Sequence, residues 1–332
     1  MGRIGILSKF LCVYAIVFLL LIFSCGTPTS EDQKDDNIIV TPEKSVVIPI
    51  FNADSAYKYV STQVAFGPRV PNSIAHTKCA NYIIAKTTAY ADTVYVQKTL
   101  ISTYDGNNFE IKNIIASFNP ENKSRILLFA HWDTRPWGDQ DTKDKDKPID
   151  GANDGGSGVA VLLEVARVLV SNNVNIGVDL AFFDLEDYGK PEHENSYGLG
   201  TQYWARNPHI KGYRANYGIL LDMVGGKNAI FTQEGNSIQF AEAIVGKVWA
   251  AATKAGYGTY FKYEQTNYIT DDHYYVNTIT NIPSIDIIQH DESTSHNFAT
   301  YWHTHSDNME SVDKQTLKAV GQTLLQTIYT EK

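Results

Sequence analysis

The chain has 332 residues, 43% hydrophobic and 20% charged, which is enough for one large α/β domain or two small ones with a sizeable core. The formal net charge is −9 and the pI is near 5.5, and no basic stripe stands out, so nucleic acid is argued against as a partner. Twenty Tyr and fourteen Phe read first as core-filling aromatics.

At the N-terminus, Arg3 and Lys9 precede a run of 14 apolar residues, Phe10 to Phe23. That is short of the ~20 residues of a membrane-spanning helix and suits a signal peptide. The run ends in "IFSCG", which resembles a bacterial lipoprotein cleavage box. The resemblance implies a leader over residues 1–24, an acylated Cys25 and a lipid anchor in the bacterial cell envelope, on the periplasmic or the outer side. A short uncleaved anchor is the other reading. Polar residues follow to position 45 and read as a flexible acidic tether. Residues 46–332 are then expected to form a single α/β domain, the catalytic one if the chain is an enzyme. Within it Cys79 has no partner for a disulfide and reads as a small buried hydrophobe.

Ser55 to Phe66 and Ser73 to Tyr90 read as helices, because small and apolar residues recur every three or four positions. Asp92 to Ile101 and Ile111 to Phe118 read as strands, rich in β-branched and aromatic residues. A regular alternation comes next. Strands are expected at 125–131, 177–184, 217–225 and 283–289. Helices are expected at 158–170, from 201, at 238–256 and at 313–329, with Asp313 as N-cap. Near-continuous apolar strands alternating with helices predict a mainly parallel, mixed central sheet with helices on both faces. The Asp/Lys-rich stretch 139–147 reads as a solvated loop.

In such sheets ligands bind beyond the carboxyl ends of the strands. The residues just past each strand are therefore informative. His131 and Asp133 come after the first parallel strand, in "HWDTRP". Asp154 stands before an apolar helix, in "DGANDGGSG". Asp184, Glu186 and Asp187 come after the next strand, in "FFDLEDYG". Asp222 ends the one after. "YITDDHYYV" supplies Asp271, Asp272 and His273, and "YWHTHSDN" supplies Trp302, His303 and His305. Any one of these has an ordinary explanation: Asp154 could cap a helix, Asp222 could form a turn. Five loops at one sheet edge, each delivering Asp, Glu or His, are different. Clustered carboxylates repel unless a cation joins them. Imidazole with carboxylate is a zinc-type ligand set, and a catalytic zinc keeps three protein ligands and one open position. Adjacent carboxylates on an extended backbone point opposite ways, so one of Glu186 and Asp187 is expected at the metal and its neighbour at the substrate.

"HWDTRP", "DGANDGGSGV", "FFDLEDYG", "LLDMVG", "DDH" and "YWHT" occur in this order, and together they resemble bacterial zinc-dependent glutaminyl cyclases of the animal-type fold, which is shared with zinc aminopeptidases. The resemblance implies one zinc held by Asp154, Asp187 and His303, with Glu186 as general acid/base. Asp222 and Asp271 would form an acidic network with Glu186, and Trp302, Phe298 and Ile269 would line the pocket. His131 and Asp133 would support the first metal or hold a second. The implied substrates are peptides and proteins with N-terminal Gln, converted to pyroglutamate. Two departures stand out. Animal members carry two glutamates where this chain has Glu186–Asp187, and the Trp that comes after that pair has no equivalent in "YGKPEHENSYG". A two-zinc aminopeptidase using His131, Asp154, Asp187, Asp222 and His303 is the main alternative, and an inactive lipid-anchored binding module is the other. His273 and His305 read as supporting or structural residues. Trp137 in "RPWGDQD" stands as a residue bordering the site or packed in the fold, and Trp132 and Trp204 stay open.

Overall fold

The computed structural model describes residues 46–332; the expected leader, tether and Cys25 lie outside the described residues. Helix α1 (Ala53–Val64) begins where the Asn52 side chain accepts from the Ser55 N–H, and α2 (Ile74–Tyr90) where Ser73 accepts from the His76 N–H. An antiparallel pair comes next, β1 (Thr93–Ser102) and β2 (Asn108–Phe118). Then come β3 (Arg125–His131), α3 (Gly156–Ser171), β4 (Gly177–Phe183), α4 (Leu199–Arg206) and β5 (Gly218–Asp222). The chain continues through β6 (Phe231–Gln233), α5 (Gly235–Lys254), β7 (Phe261–Gln265) and α6 (Asp272–Tyr275). A π-helical turn (Val276–Thr280), β8 (Ser284–Ile288) and α7 (Lys314–Thr330) complete it.

The six-stranded sheet runs β1-β2-β4-β3-β5-β8. Strands β4, β3, β5 and β8 are parallel, and β2 and β1 close one edge antiparallel. Every residue of β3 is buried because both faces are covered. Ile126, Leu128 and Ala130 pack with α3, α1 and α7, while Leu127 and Phe129 pack on the opposite face with Trp204 of α4 and Val276. This is the mixed sheet with helices on both faces that the alternation implies. Cys79 is fully buried and unpaired. Helix α4 ends at Arg206, as Asn207 leaves helical backbone (φ −132°, ψ 64°), so Thr201–Asn207 is the body and end of a helix rather than its start. The small parallel pair β6–β7 carries no sequence signal, because three residues are too few to show an alternation.

One charged residue interrupts the apolar run of β4. Asp179 is fully buried and accepts from Arg125 Nε (2.6 Å) and Nη2 (3.0 Å), Ser117 Oγ (2.6 Å) and Tyr213 Oη (2.6 Å). It ties β2, β3 and β4 together at the end remote from the site. Asp179→Ala leaves a buried guanidinium unpaired and is expected to cost about 3–5 kcal/mol in urea denaturation. An unchanged midpoint would remove this network from the stability of the sheet.

Candidate active site

The carboxyl ends of the parallel strands converge on one cavity of about 170 Å³. Asp154, Glu186, Asp187, Asp222, Ile269, Asp271, Phe298, Trp302 and His303 all line it, joined by Tyr197, Thr270, Met223 and Ile288. His131 and Asp133 are buried beside it. A larger cavity of about 760 Å³ lies along Gln289–Glu292 and Ala299–Tyr301 and contains none of the acidic or histidine residues expected at the site.

The backbone is bent out of its preferred regions to build this arrangement. Leu185, Met223 and His303 have φ of +55°, +50° and +55°. Left-handed backbone costs an L residue about 1–2 kcal/mol each. Leu185 turns the chain as it leaves β4, and Glu186 and Asp187 consequently both reach the cavity. The extended backbone assumed for the pair is interrupted at Leu185: both side chains line the cavity, and only Asp187 belongs to the donor group with Asp154 and His303. Both amide N–H groups donate to the Asp133 carboxylate, at 3.0 and 3.2 Å, which fixes the turn. Gly155 has φ +72°, and a Cβ there would lie 2.6 Å from the Asp133 carbonyl oxygen and 3.0 Å from the His131 ring. Only glycine lets this loop pass so close. Asp154 caps nothing: α3 is preceded by Gly155 without a side-chain cap, and the Asp154 carboxylate is left for the cavity.

Asp154, Asp187 and His303 bring one donor atom each within 4.8 Å of one another. His303 Nε2 stands 3.5 Å from Asp187 Oδ1 and 3.7 Å from Asp154 Oδ2. Donors placed tetrahedrally around a zinc at its usual bond lengths lie about 3.4 Å apart. The buried Asp187 Oδ2 has no hydrogen-bond partner. The donor set therefore fits a zinc ion. A second group, His131, Asp154 and Asp222, shares Asp154 with the first. His131 Nε2 lies 3.1 Å from Asp154 Oδ1 and 3.2 Å from Asp222 Oδ1.

The two neighbours Glu186 and Asp187 are driven apart electrostatically. Burial, and next the Asp271 charge, push the Glu186 carboxyl well above its ordinary value. Burial pushes Asp187 up too, but His303 and Arg135 outweigh it and hold the carboxyl below the usual range. Burial also raises Asp222 and Asp271, and with Asp187 it lifts Asp154 to about 6. Adjacent groups with opposite shifts are the pattern of a divided acid and anion.

Several supporting residues were not visible as such in the sequence. Arg135 is buried and reaches the Asp187 carbonyl and Oδ1, both at 3.1 Å, while its other side forks onto Asp139 at 2.9 and 2.8 Å. Asp139 Oδ1 also lies 3.3 Å from His303 Nδ1. The stretch 139–147 is thus not simply a solvated loop, because its first residue stands against a site histidine. Asp139→Asn is expected to weaken zinc affinity about 10–100-fold in chelator competition; unchanged affinity would reduce Asp139 to a loop anchor. Asp307 accepts from the Asn153 and Asp154 N–H groups at 2.8 and 3.0 Å, and burial with the Asp154 charge lifts its carboxyl to about 7. His305 pairs with Asp141 at 2.8 Å and His273 with Glu234 at 3.0 Å, so neither reaches the first donor set. Asp184 bonds His76 and the Lys112 N–H. Trp132 stacks on His76, Trp204 fills the core beside Phe183, and Trp137 lines a separate cleft with Asp139 and Lys190. Trp302 lies flat on the His303 ring, centroids 3.7 Å apart, with Phe298 tilted against it.

Residues 113–328 match peptidase family M28. The chain belongs to this family. The crystal structure of a Bacteroides thetaiotaomicron glutaminyl cyclase bound to N-acetylhistamine is 52% identical, with TM-score 0.84, covering 86% of this chain and all (100%) of that one. A Zn-dependent exopeptidase from Parabacteroides distasonis is 53% identical, also with TM-score 0.84 and coverages of 86% and 100%. Glutaminyl-peptide cyclotransferase from Gloydius blomhoffii is 26% identical over 242 residues, 64% of this chain. The match spans 63% of that curated relative's own length. Both cyclase and exopeptidase names thus occur among the relatives of this chain, and the distinction rests on the chemistry of the site.

Proposed function

We propose that this M28 protein is a zinc-dependent glutaminyl-peptide cyclotransferase, converting N-terminal Gln of peptides and proteins to pyroglutamate with release of ammonia. The observation that carries the reading is the pairing of a carboxyl raised well above its ordinary range, Glu186, with a ligand-type anion held below it, Asp187, in one cavity lined by Trp302 and Phe298. The 52% identical glutaminyl cyclase supports it.

Asp154, Asp187 and His303 would hold one zinc ion. When bound, zinc supplies a Lewis acid for the γ-carbonyl of the substrate Gln. Glu186 accepts a proton from the α-amine as the amine nitrogen attacks the γ-carbonyl carbon. Glu186 then returns that proton to the departing amide nitrogen, so the bond to nitrogen breaks and ammonia leaves. The attack is intramolecular, and the walls at Ile269, Phe298 and Trp302 hold the Gln side chain curled over its own amine. The same walls keep out water, the competing nucleophile.

A second reading, a two-zinc aminopeptidase, is favoured by the His131–Asp154–Asp222 group. A Gln-initiated peptide separates the two. Ammonia release with a blocked N-terminus, abolished by a zinc chelator, is the expected result. Release of the free N-terminal residue in place of ammonia would overturn the cyclase reading.

A further inference from the structure

Behind Asp271 the fold buries another acid that no step of the proposed reaction uses. Asp286 sits in β8 between Ile285 and Ile287 and is fully buried. Its N–H donates to Ser237 Oγ, yet neither carboxylate oxygen meets a hydrogen-bond donor. Four elements face it. The loop before α6 brings Asp271, α6 brings His273, the N-cap of α5 brings Glu234 and the end of β5 brings Asp222.

The histidine that faces it is already engaged. His273 Nε2 lies 3.0 Å from Glu234 Oε2, while its Nδ1 stands 3.8 Å from Asp286 Oδ2, beyond hydrogen-bond reach. Glu234 is saturated: it also accepts from the N–H groups of Asn236, Ser237 and Ile269 and from Ser237 Oγ. Burial pushes its carboxyl up, but His273 and these donors outweigh it and hold it at about 2. Glu234 is therefore a fixed negative charge. An ionised Asp286 would face that charge and two further carboxylates without a single donor. Burial first, then Asp271, Asp222 and Glu234, drive its carboxyl well above the ordinary range. Asp271 and Asp286 bring carboxylate oxygens within 4.8 Å of one another, and two buried carboxyls in contact share a proton when no cation separates them.

We propose that Asp286 is a neutral carboxylic acid whose O–H donates to the Asp271 carboxylate, making it a positioning residue that holds Asp271 beside Glu186. Asp271 is then pinned from two sides, by the proton of Asp286 and by the N–H of Asp272. This deepens the cyclotransferase reading and rests on it for its kinetic consequences only.

The test compares Asp286→Asn with Asp286→Leu in the zinc-loaded enzyme. Asn keeps a donor at the same place and is expected to hold kcat within about threefold, whereas Leu leaves Asp271 without its donor and is expected to lower kcat about 10–100-fold with little change in KM. Infrared spectra at neutral pH are expected to show a protonated-carboxyl C=O band that Asp286→Asn removes. That band is read without substrate, so it decides the proton even if the wild-type protein releases no ammonia, the result that would sink the functional reading alone. Zinc content is expected to be equal in wild type and Asp286→Asn. If Asp286→Leu fails to fold, the Asn variant and the infrared band carry the test. An absent band, a kcat in Asp286→Asn as low as that of Leu, or a metal equivalent lost with Asp286→Asn would overturn the proposal; the last would make Asp271, His273 and Asp286 a metal site.

Discussion

Glu186→Gln is expected to lower kcat for a Gln-initiated peptide by about 10²–10⁴-fold, the usual worth of a positioned acid/base. Zinc content is expected to stay at the wild-type level, because Glu186 is outside the Asp154–Asp187–His303 donor group. Gln preserves shape and removes the one capacity the role needs, which is to take and return a proton. The substitution also removes an acid that burial and Asp271 already hold unfavourably, so the thermal midpoint is expected to stay the same or rise. Lost activity with kept zinc and kept stability is the signature of a chemical role. Full activity in Glu186→Gln would refute the assignment, and lost zinc would make Glu186 part of the metal site instead.

The strands that position Glu186 were legible in the sequence for a physical reason. Strands buried on both faces must be apolar throughout, so β3, β4 and β5 read as greasy runs and the polar residues after them stand out. Site residues at strand ends are therefore the easy ones. Residues that act across the fold were not legible. Asp139 lies in a run of Asp and Lys whose composition says solvent, and only the tertiary path shows it at 3.3 Å from His303. Asp179 and Asp286 look alike in sequence, each a single Asp in an apolar strand. One meets Arg125 and ties the sheet; the other meets Asp271 and no donor. The strand pattern cannot tell them apart, because the difference is which end of the sheet each occupies and what faces it. The premise behind the division of Glu186 and Asp187 missed the turn for a related reason. It assumed extended backbone, whereas Leu185 takes up a left-handed conformation that its residue type does not announce.

Asp154→Asn is expected to abolish zinc binding and activity, and to reverse the order of stabilities when zinc is removed. Asp154 belongs to both candidate donor groups, so its loss dismantles either. In the absence of a cation it is a burden. Its carboxyl is lifted to about 6 by burial and Asp187, so the metal-free protein loses stability as pH rises from the ordinary value near 3.8 through about 6. At neutral pH with chelator, Asp154→Asn is therefore expected to melt at or above the wild-type temperature. With zinc the wild type gains the binding free energy, about 4 kcal/mol at a thousandfold excess over Kd, and the variant gains none. A wild type whose melting ignores chelator, or a variant that still binds zinc stoichiometrically, would refute the site. Asp222→Asn then counts the ions. It leaves Asp154, Asp187 and His303 intact and breaks only the group with His131. One zinc per chain in both wild type and Asp222→Asn is expected. A fall from two to one would identify the two-metal centre of an exopeptidase, with His131 changed from a hydrogen-bond partner of Asp154 and Asp222 into a ligand beside them.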